Sequence, residues 1–121
     1  MKNENRNFAM FLQDIIECAE KIDKYTKNIT ENDFTKNEQI KDAVIMRIGI
    51  VGEAVKNLPA GLKKGHKEVN WKKSVKMRNI FMHVYFGIDC HRLWKTAKVE
   101  IPVLKEKVAK ILEELNVNKL I

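Results

Sequence analysis

The chain has 121 residues, 45% of them hydrophobic, enough for one domain (residues 1–121) to bury a core without a disulfide or metal. Five Gly and two Pro are too few for the turns of an all-β sandwich or barrel, so the composition favours long helices. The net charge is +7, and residues 60–98 hold ten basic and two acidic side chains, a local net charge of +8. This concentration favours an anionic partner such as nucleic acid over the alternative, a lysine-rich surface that serves solubility.

The first half of the chain predicts two long helices. Apolar residues recur at intervals of three and four over residues 8–29, which is typical of an amphipathic helix. Cap-forming residues then interrupt this pattern, and we expect a short helical turn at residues 33–36. Asn37 is the predicted cap of the second long helix, which we expect to end at Pro59 because the proline ring breaks helical hydrogen bonding.

The second half predicts a basic loop and further helices. Residues 59–66 are predicted to form the loop, and a third helix should run from Trp71 to about Phe86, closed by Gly87. Asp89 is the predicted cap of a shorter fourth helix, and Pro102 suits the first turn of the last one. The fold class is therefore predicted as all-α, an antiparallel up-and-down bundle of four to five helices.

Arg47 lies on the mostly apolar face of the second helix, where an unpaired guanidinium is costly. We therefore expect an ion pair with one of three carboxylates: Asp14, Glu17 or Glu53. Glu53 follows Gly49 and Gly52, which permit close approach of another helix, so a structural role is predicted for it.

The sequence indicates neither a metal site nor a targeting segment. The histidines and cysteines lack zinc-site spacing and no carboxylate cluster favours magnesium, so no metal and no cofactor are predicted. No stretch has the form of a signal peptide or of a membrane span. We expect a cytoplasmic protein with no membrane contact.

The third predicted helix places polar groups among apolar ones beside the basic segment. Asn79 and His83 are one turn apart on one face, and Arg78 flanks them. Arg78 and His83 are about 140° apart around an ideal helix, so one straight helix does not bring them together. A cleft, such as one against a second subunit, must complete the site. On spacing alone, an Arg and a His satisfied within the core are the commoner explanation.

These residue types fit RNA cleavage without a metal. Histidine can take the proton of a ribose 2′-hydroxyl, whose oxygen then attacks the adjacent phosphorus, and arginine can hold two phosphate oxygens. The product is a 2′,3′-cyclic phosphate. Six lysines precede Arg78 and are predicted to guide RNA electrostatically: Lys63, Lys64, Lys67, Lys72, Lys73 and Lys76.

A family resemblance supports this chemistry. The sequence Arg78-Asn79-x-x-x-His83-x-Tyr85 resembles the R-x4-H-x-Y motif of HepT-like proteins, a branch of the HEPN superfamily of helical ribonucleases. The segment from Arg47 to Ala54 is similar to the family's I-x-x-x-G-E-A segment, and Ile101-Pro102-x-Leu104 also fits. The resemblance covers nearly the whole chain.

The resemblance implies a homodimer in which two copies of the motif line a basic cleft. It further implies the toxin of a toxin–antitoxin pair whose partner, a minimal nucleotidyltransferase, neutralises the ribonuclease by transferring AMP to Tyr85. Arg78 and His83 would be catalytic and Asn79 would support them. The alternative is a non-catalytic helical subunit that helps a nucleotidyltransferase bind nucleotide or substrate.

Overall fold

A computed structural model describes residues 4–83 and 89–120, and the side chains of residues 8–81 and 89–116. Within these ranges the chain is helical and contains no strand, as the sequence predicts. The elements in chain order are α1 (Glu4–Thr26), α2 (Glu31–Lys36), α3 (Glu38–Lys56), α4 (Ala60–Gly65), α5 (Trp71–His83), α6 (Cys90–Lys95), a π-helical turn (Thr96–Glu100) and α7 (Ile101–Leu120). None of the helices in the described part is long and apolar enough to cross a bilayer.

Side-chain caps fix the boundaries between α1, α2 and α3. The Thr30 hydroxyl accepts the Asp33 amide at 3.1 Å and the Asp33 carboxylate accepts the Thr30 amide at 3.1 Å, a reciprocal cap for α2. The Asn37 side chain accepts the Ile40 amide at 3.0 Å, which confirms the predicted cap of α3. Both caps satisfy amides that a helix start leaves without an internal partner.

The core lies around α3, which packs against α1 on one side and α5 on another, while α1 also packs against α7. Buried apolar residues from these helices form one cluster. The short α2 joins it through Phe34, which is fully buried and whose ring centroid lies 5.1 Å from that of Trp94. Burying that ring stabilises α2, a helix of six residues that is too short to persist alone.

The predicted loop at residues 59–66 is wrong, because Ala60–Gly65 forms α4. The preceding helix, α3, ends at Lys56 with Asn57 as its C-terminal cap, and Pro59 becomes the residue that opens α4. A lysine of α4 ties the two helices together: Lys63 Nζ donates to the Val55 carbonyl at 3.2 Å. This contact between residues eight positions apart is not visible as a local sequence signal.

The last part of the chain is one continuous helical rod. Asp89 caps it as predicted, because its carboxylate accepts the His91 and Arg92 amides at 3.0 and 3.2 Å. Pro102 lies in the first turn of the last helix, as predicted, because it is the second residue of α7, which follows the π-helical turn without a break. In that turn the Ile101 amide bonds to the Thr96 carbonyl, five residues back. The wider turn accommodates a proline that would otherwise interrupt a regular α-helix.

Candidate active site

Arg78 lies at the contact between α3 and α5, opposite Gly52. Gly52 is buried, and a Cβ at this position would overlap the Arg78 Cβ and lie 2.9 Å from its Cγ. Any larger residue would therefore displace the arginine side chain. The close approach expected at the glycines of α3 is confirmed at Gly52, and what occupies the space is the stem of Arg78.

Two neighbouring side chains hold the Arg78 guanidinium. Nη2 lies 3.5 Å from Glu53 Oε2, and Nη1 donates to Asn79 Oδ1 at 3.1 Å. The hydrogen bond to Asn79 uses one of the five N–H donors of the guanidinium, and the contact with Glu53 is an ion pair. The Arg78 side chain is 30% exposed and that of Glu53 is 54% exposed, so the group is accessible from solvent. The arrangement leaves a fixed cation with donors to spare, which is what binding of a phosphate requires.

Two residues of the predicted catalytic set, Arg78 and Asn79, are in contact through their side chains. His83 is the last residue of α5 that the structure describes, four positions after Asn79 and so on the same helical face, but its side chain lies outside the described residues. Tyr85 and the predicted closing residue Gly87 also lie outside them.

A cavity of about 840 Å³ lies beside this site, between α4, α5 and the end of α3. Four of the six predicted RNA-guiding lysines line it: Lys63, Lys64, Lys67 and Lys72. Apolar lining includes Val55 and Trp71, and Glu68 also lies at its wall. A hydrogen bond with its own backbone, aided by His66 (Nδ1–Oε2 3.3 Å), lowers the pKa of Glu68. The cavity thus combines an apolar surface with four ammonium groups.

The cavity and Arg78 lie along the same helix contact. Val55 and Val75 both line the cavity. Gly52 precedes Val55 by three residues on α3, and Arg78 follows Val75 by three residues on α5. Three residues are about one helical turn, or about 4.5 Å along the axis. Arg78 and Gly52 are therefore each about one helical turn from the wall of the lysine-lined cavity, along the α3–α5 contact.

The other two lysines of the predicted set are placed differently. Lys73 forms an ion pair with Glu100 and lines a second cavity, of about 350 Å³, between α5 and the π-helical turn. Burial raises the pKa of Glu100, but hydrogen bonds from Lys73 and Thr96 and the charge of Lys95 outweigh it, so the pKa is lowered overall. Lys76 is exposed on α5.

The predicted ion pair of Arg47 is replaced by other contacts. The hydroxyl of Tyr25 and the thiol of Cys18 contact its guanidinium, and the hydrogen bond with Tyr25 is the main reason that its pKa is raised. Cys18 is buried, which raises the pKa of its thiol and keeps it neutral. The carboxylate of Glu53, one of the three predicted partners, instead contacts Arg78. The sequence feature that could have indicated a special role for Glu53 is its position next to Gly52 in the G-E-A segment.

Metal ligands do not cluster in the described part of the chain. Within residues 4–83 and 89–120, no three His, Cys, Asp or Glu residues are grouped so that they could hold a metal ion. The polar groups that converge at the α3–α5 contact are instead a guanidinium, a carboxylate and an amide.

Comparison with known proteins shows which family this chain belongs to. No solved structure matches the chain. A probable ribonuclease HepT from Thermococcus cleftensis is 41% identical over 106 residues, which cover 88% of this chain and 96% of that protein. A gamma-glutamylcyclotransferase and putative RNase from Methanocaldococcus jannaschii is 43% identical over 114 residues, 94% of this chain but 51% of that protein. The chain therefore spans about half the length of the latter relative.

The family model described as ribonuclease HepT-like matches residues 15–111. That range contains the α3–α5 contact, the lysine-lined cavity and the whole Arg78-to-Tyr85 segment. With most of its length matched, including the residues that converge on Arg78, the chain belongs to the HepT-like ribonuclease family.

Proposed function

We propose that this protein is a metal-independent endoribonuclease and the toxin of a toxin–antitoxin pair. The observation that carries the proposal is the Arg78 guanidinium, held by Glu53 and Asn79, with Arg78 one helical turn from Val75 in the wall of a cavity that four lysines line. A single-stranded RNA backbone passing over these lysines would bring a phosphate to Arg78. Family membership and the names of the relatives support RNA as the polymer.

Cleavage proceeds by attack of the ribose 2′-oxygen on its own 3′-phosphate. His83 takes the proton of the 2′-hydroxyl as the new O–P bond forms, and Arg78 stabilises the negative charge that develops on the phosphate oxygens. The bond to the 5′-oxygen of the next nucleotide breaks, and this oxygen receives a proton from a water molecule. The products are a 2′,3′-cyclic phosphate and a 5′-hydroxyl. A positioned base contributes about 10²- to 10⁴-fold to such a step, and Asn79 supports Arg78.

Cleavage of a labelled RNA by the purified protein in excess chelator tests this proposal. We expect 2′,3′-cyclic phosphate ends, and loss of cleavage in Arg78→Ala and His83→Ala with melting temperatures close to that of the wild type. The matched control is His91→Ala, which removes a largely exposed histidine of α6. Undiminished cleavage by His83→Ala, or activity that requires a divalent metal, would refute the mechanism. A folded wild-type protein that binds but never cuts RNA would favour the non-catalytic subunit instead.

We also propose that the helices form an antiparallel bundle that pairs as a homodimer. Arg78 and His83 are five positions apart on α5, about 140° around its axis, so one straight helix does not bring them together, and we infer that a cleft against a second copy completes the site. Light scattering should give about twice the chain mass of 14.1 kDa. A mass near that of one chain in a sample that cleaves RNA would contradict the dimer.

Tyr85 is proposed as the residue through which a nucleotidyltransferase antitoxin neutralises the toxin in the cytoplasm. An AMP group attached there adds bulk and negative charge in a basic segment, so it would compete with RNA. Co-expression with the nucleotidyltransferase should add AMP-sized mass to the wild type and to Tyr25→Phe, the matched control, but not to Tyr85→Phe. AMP on another residue, or neutralisation without any adduct, would refute this assignment.

A further inference from the structure

We propose that Glu53 is a positioning residue that fixes the orientation of the Arg78 guanidinium for phosphate binding. This inference rests on the proposed function, because it gives Glu53 a role only through Arg78. It goes beyond that function by assigning the Gly52–Glu53 pair of α3 to the active site on α5, 25 residues further along the chain.

The two neighbouring residues of α3 act on different parts of the same side chain. Gly52 leaves room for the stem, since the Arg78 Cγ and Cδ would lie 2.9 and 3.1 Å from a Cβ at residue 52. Glu53 then meets the head of the side chain, with Oε2 3.5 Å from Nη2. The stem of the Arg78 side chain therefore packs against α3 at Gly52, and its guanidinium contacts Glu53, the next residue of that helix.

The second anchor comes from α5 itself. Asn79 Oδ1 accepts from Nη1 at 3.1 Å, so the two terminal nitrogens of the guanidinium have different partners on different helices. A planar group held at two of its nitrogens cannot turn freely about its long axis. The remaining donors then keep one direction, as a bidentate contact with phosphate requires.

The exposure of Glu53 argues against a role in stability alone. Its side chain is 54% exposed, and an ion pair of this exposure contributes little to folding because water screens it. Its charge also opposes a bound phosphate. Removing the charge should therefore leave the fold intact and the binding of RNA unchanged or tighter, while the guanidinium loses its orientation.

These opposing effects give a kinetic signature. For Glu53→Gln and Glu53→Ala we expect kcat to fall by about 10- to 100-fold, the scale on which a small misplacement of a reacting group acts, with KM equal to or below the wild-type value. Glu38→Gln is the matched control, because it removes the same charge from the exposed first turn of the same helix. A residue with only a structural role would lower the melting temperature and change kcat and KM together.

Gly52→Ala tests the same idea without a change of charge. The new Cβ overlaps the Arg78 Cβ, so the arginine must move and kcat should fall. Gly61→Ala is the control, because no atom lies within 4 Å of a Cβ built at that position. If Gly52→Ala does not fold, the Glu53 variants still decide the question.

A spectroscopic measurement separates this inference from the proposed function. In nitrogen-15 spectra the two terminal nitrogens of Arg78 should give separate signals in the wild type, because rotation of a held guanidinium is slow, and should merge in Glu53→Gln but not in Glu38→Gln. If the wild-type protein does not cleave RNA, the proposed function is refuted, but this spectroscopic result still stands. Identical Arg78 signals in the wild type and Glu53→Gln, or an unchanged kcat in that variant, would overturn the positioning role.

Discussion

The lysine-lined cavity predicts a specific change in the salt dependence of RNA binding. The variant to test replaces three exposed lysines of the cavity lining by glutamine, and we call it the cavity triple variant: Lys64, Lys67 and Lys72. Lys63 is left intact because it also bonds to the Val55 carbonyl at the end of α3. The control triple variant makes the same change at three exposed lysines outside the cavity, on α1, in the turn that follows it and on α7: Lys24, Lys27 and Lys110.

The expected change in the salt dependence follows from the number of lysines removed. Each lost phosphate contact with a single strand lowers the slope of log affinity against log salt by about 0.7, so three contacts correspond to about 2. Between about 50 and 200 mM salt, the wild type should therefore lose roughly 20-fold more affinity than the cavity triple variant. The control triple variant has the same net charge but should keep the wild-type slope.

Fluorescence anisotropy with a labelled 2′-O-methyl oligonucleotide measures binding, because this RNA analogue has no free 2′-hydroxyl and cannot be cleaved. The turnover of saturated enzyme on natural RNA should change little in the cavity triple variant, since its lysines do not contact Arg78. Equal slopes in both triple variants would show that only net charge matters. A large loss of turnover with unchanged binding would show that these lysines belong to the chemistry.

Three further predictions concern the fold. Phe34→Ala should lower the free energy of unfolding by about 3 to 5 kcal/mol in urea titrations, because it empties the fully buried site against Trp94; a loss below 1 kcal/mol would mean that α2 does not depend on this contact. Asp89→Ala should cost about 1 kcal/mol by removing a cap that accepts two amides, and an unchanged midpoint would contradict that cap. The pKa of Glu100 is lowered in the folded state, so its contribution is present above the unfolded value of 4.5 and is lost as pH falls through the folded pKa. Glu100→Gln should therefore flatten the fall in melting temperature below that pH, and an equally steep fall would refute this linkage.

Features set by neighbouring residues could be predicted from the sequence. The caps at Asn37 and Asp89 and the start of α5 at Trp71 depend on side chains within one turn of the helix they begin, and the structure confirms all three. The six-residue α4 could not be predicted, because it contains Gly61 and Gly65, which disfavour a helix. Its link to α3 through Lys63 requires knowledge of the tertiary fold.

In the candidate site, too, contacts between neighbouring residues could be predicted from the sequence, and contacts between helices could not. Arg78 and Asn79 are adjacent, so their contact follows from the helix and the motif. The partner of Arg78 on α3 does not follow, because spacing within one helix carries no information about which face of another helix it meets. The same reason explains the wrong partner for Arg47, whose contacts with Tyr25 and Cys18 depend on how α1 lies against α3.

The π-helical turn determines how α7 is rotated relative to α6 about the axis of this last helical segment. A π-helical turn carries one residue more than a regular helix of the same path. Winding the same residues, Thr96–Glu100, as a regular α-helix would rotate everything after them by roughly 100° relative to α6, the rotation that one residue adds. Leu93, ahead of the turn, and Val108, beyond it, are both fully buried, although α6 packs against α2 and α7 against α1. The π-helical winding of this segment sets the angle between these two buried faces, so that one unbroken helical segment can pack against two different helices.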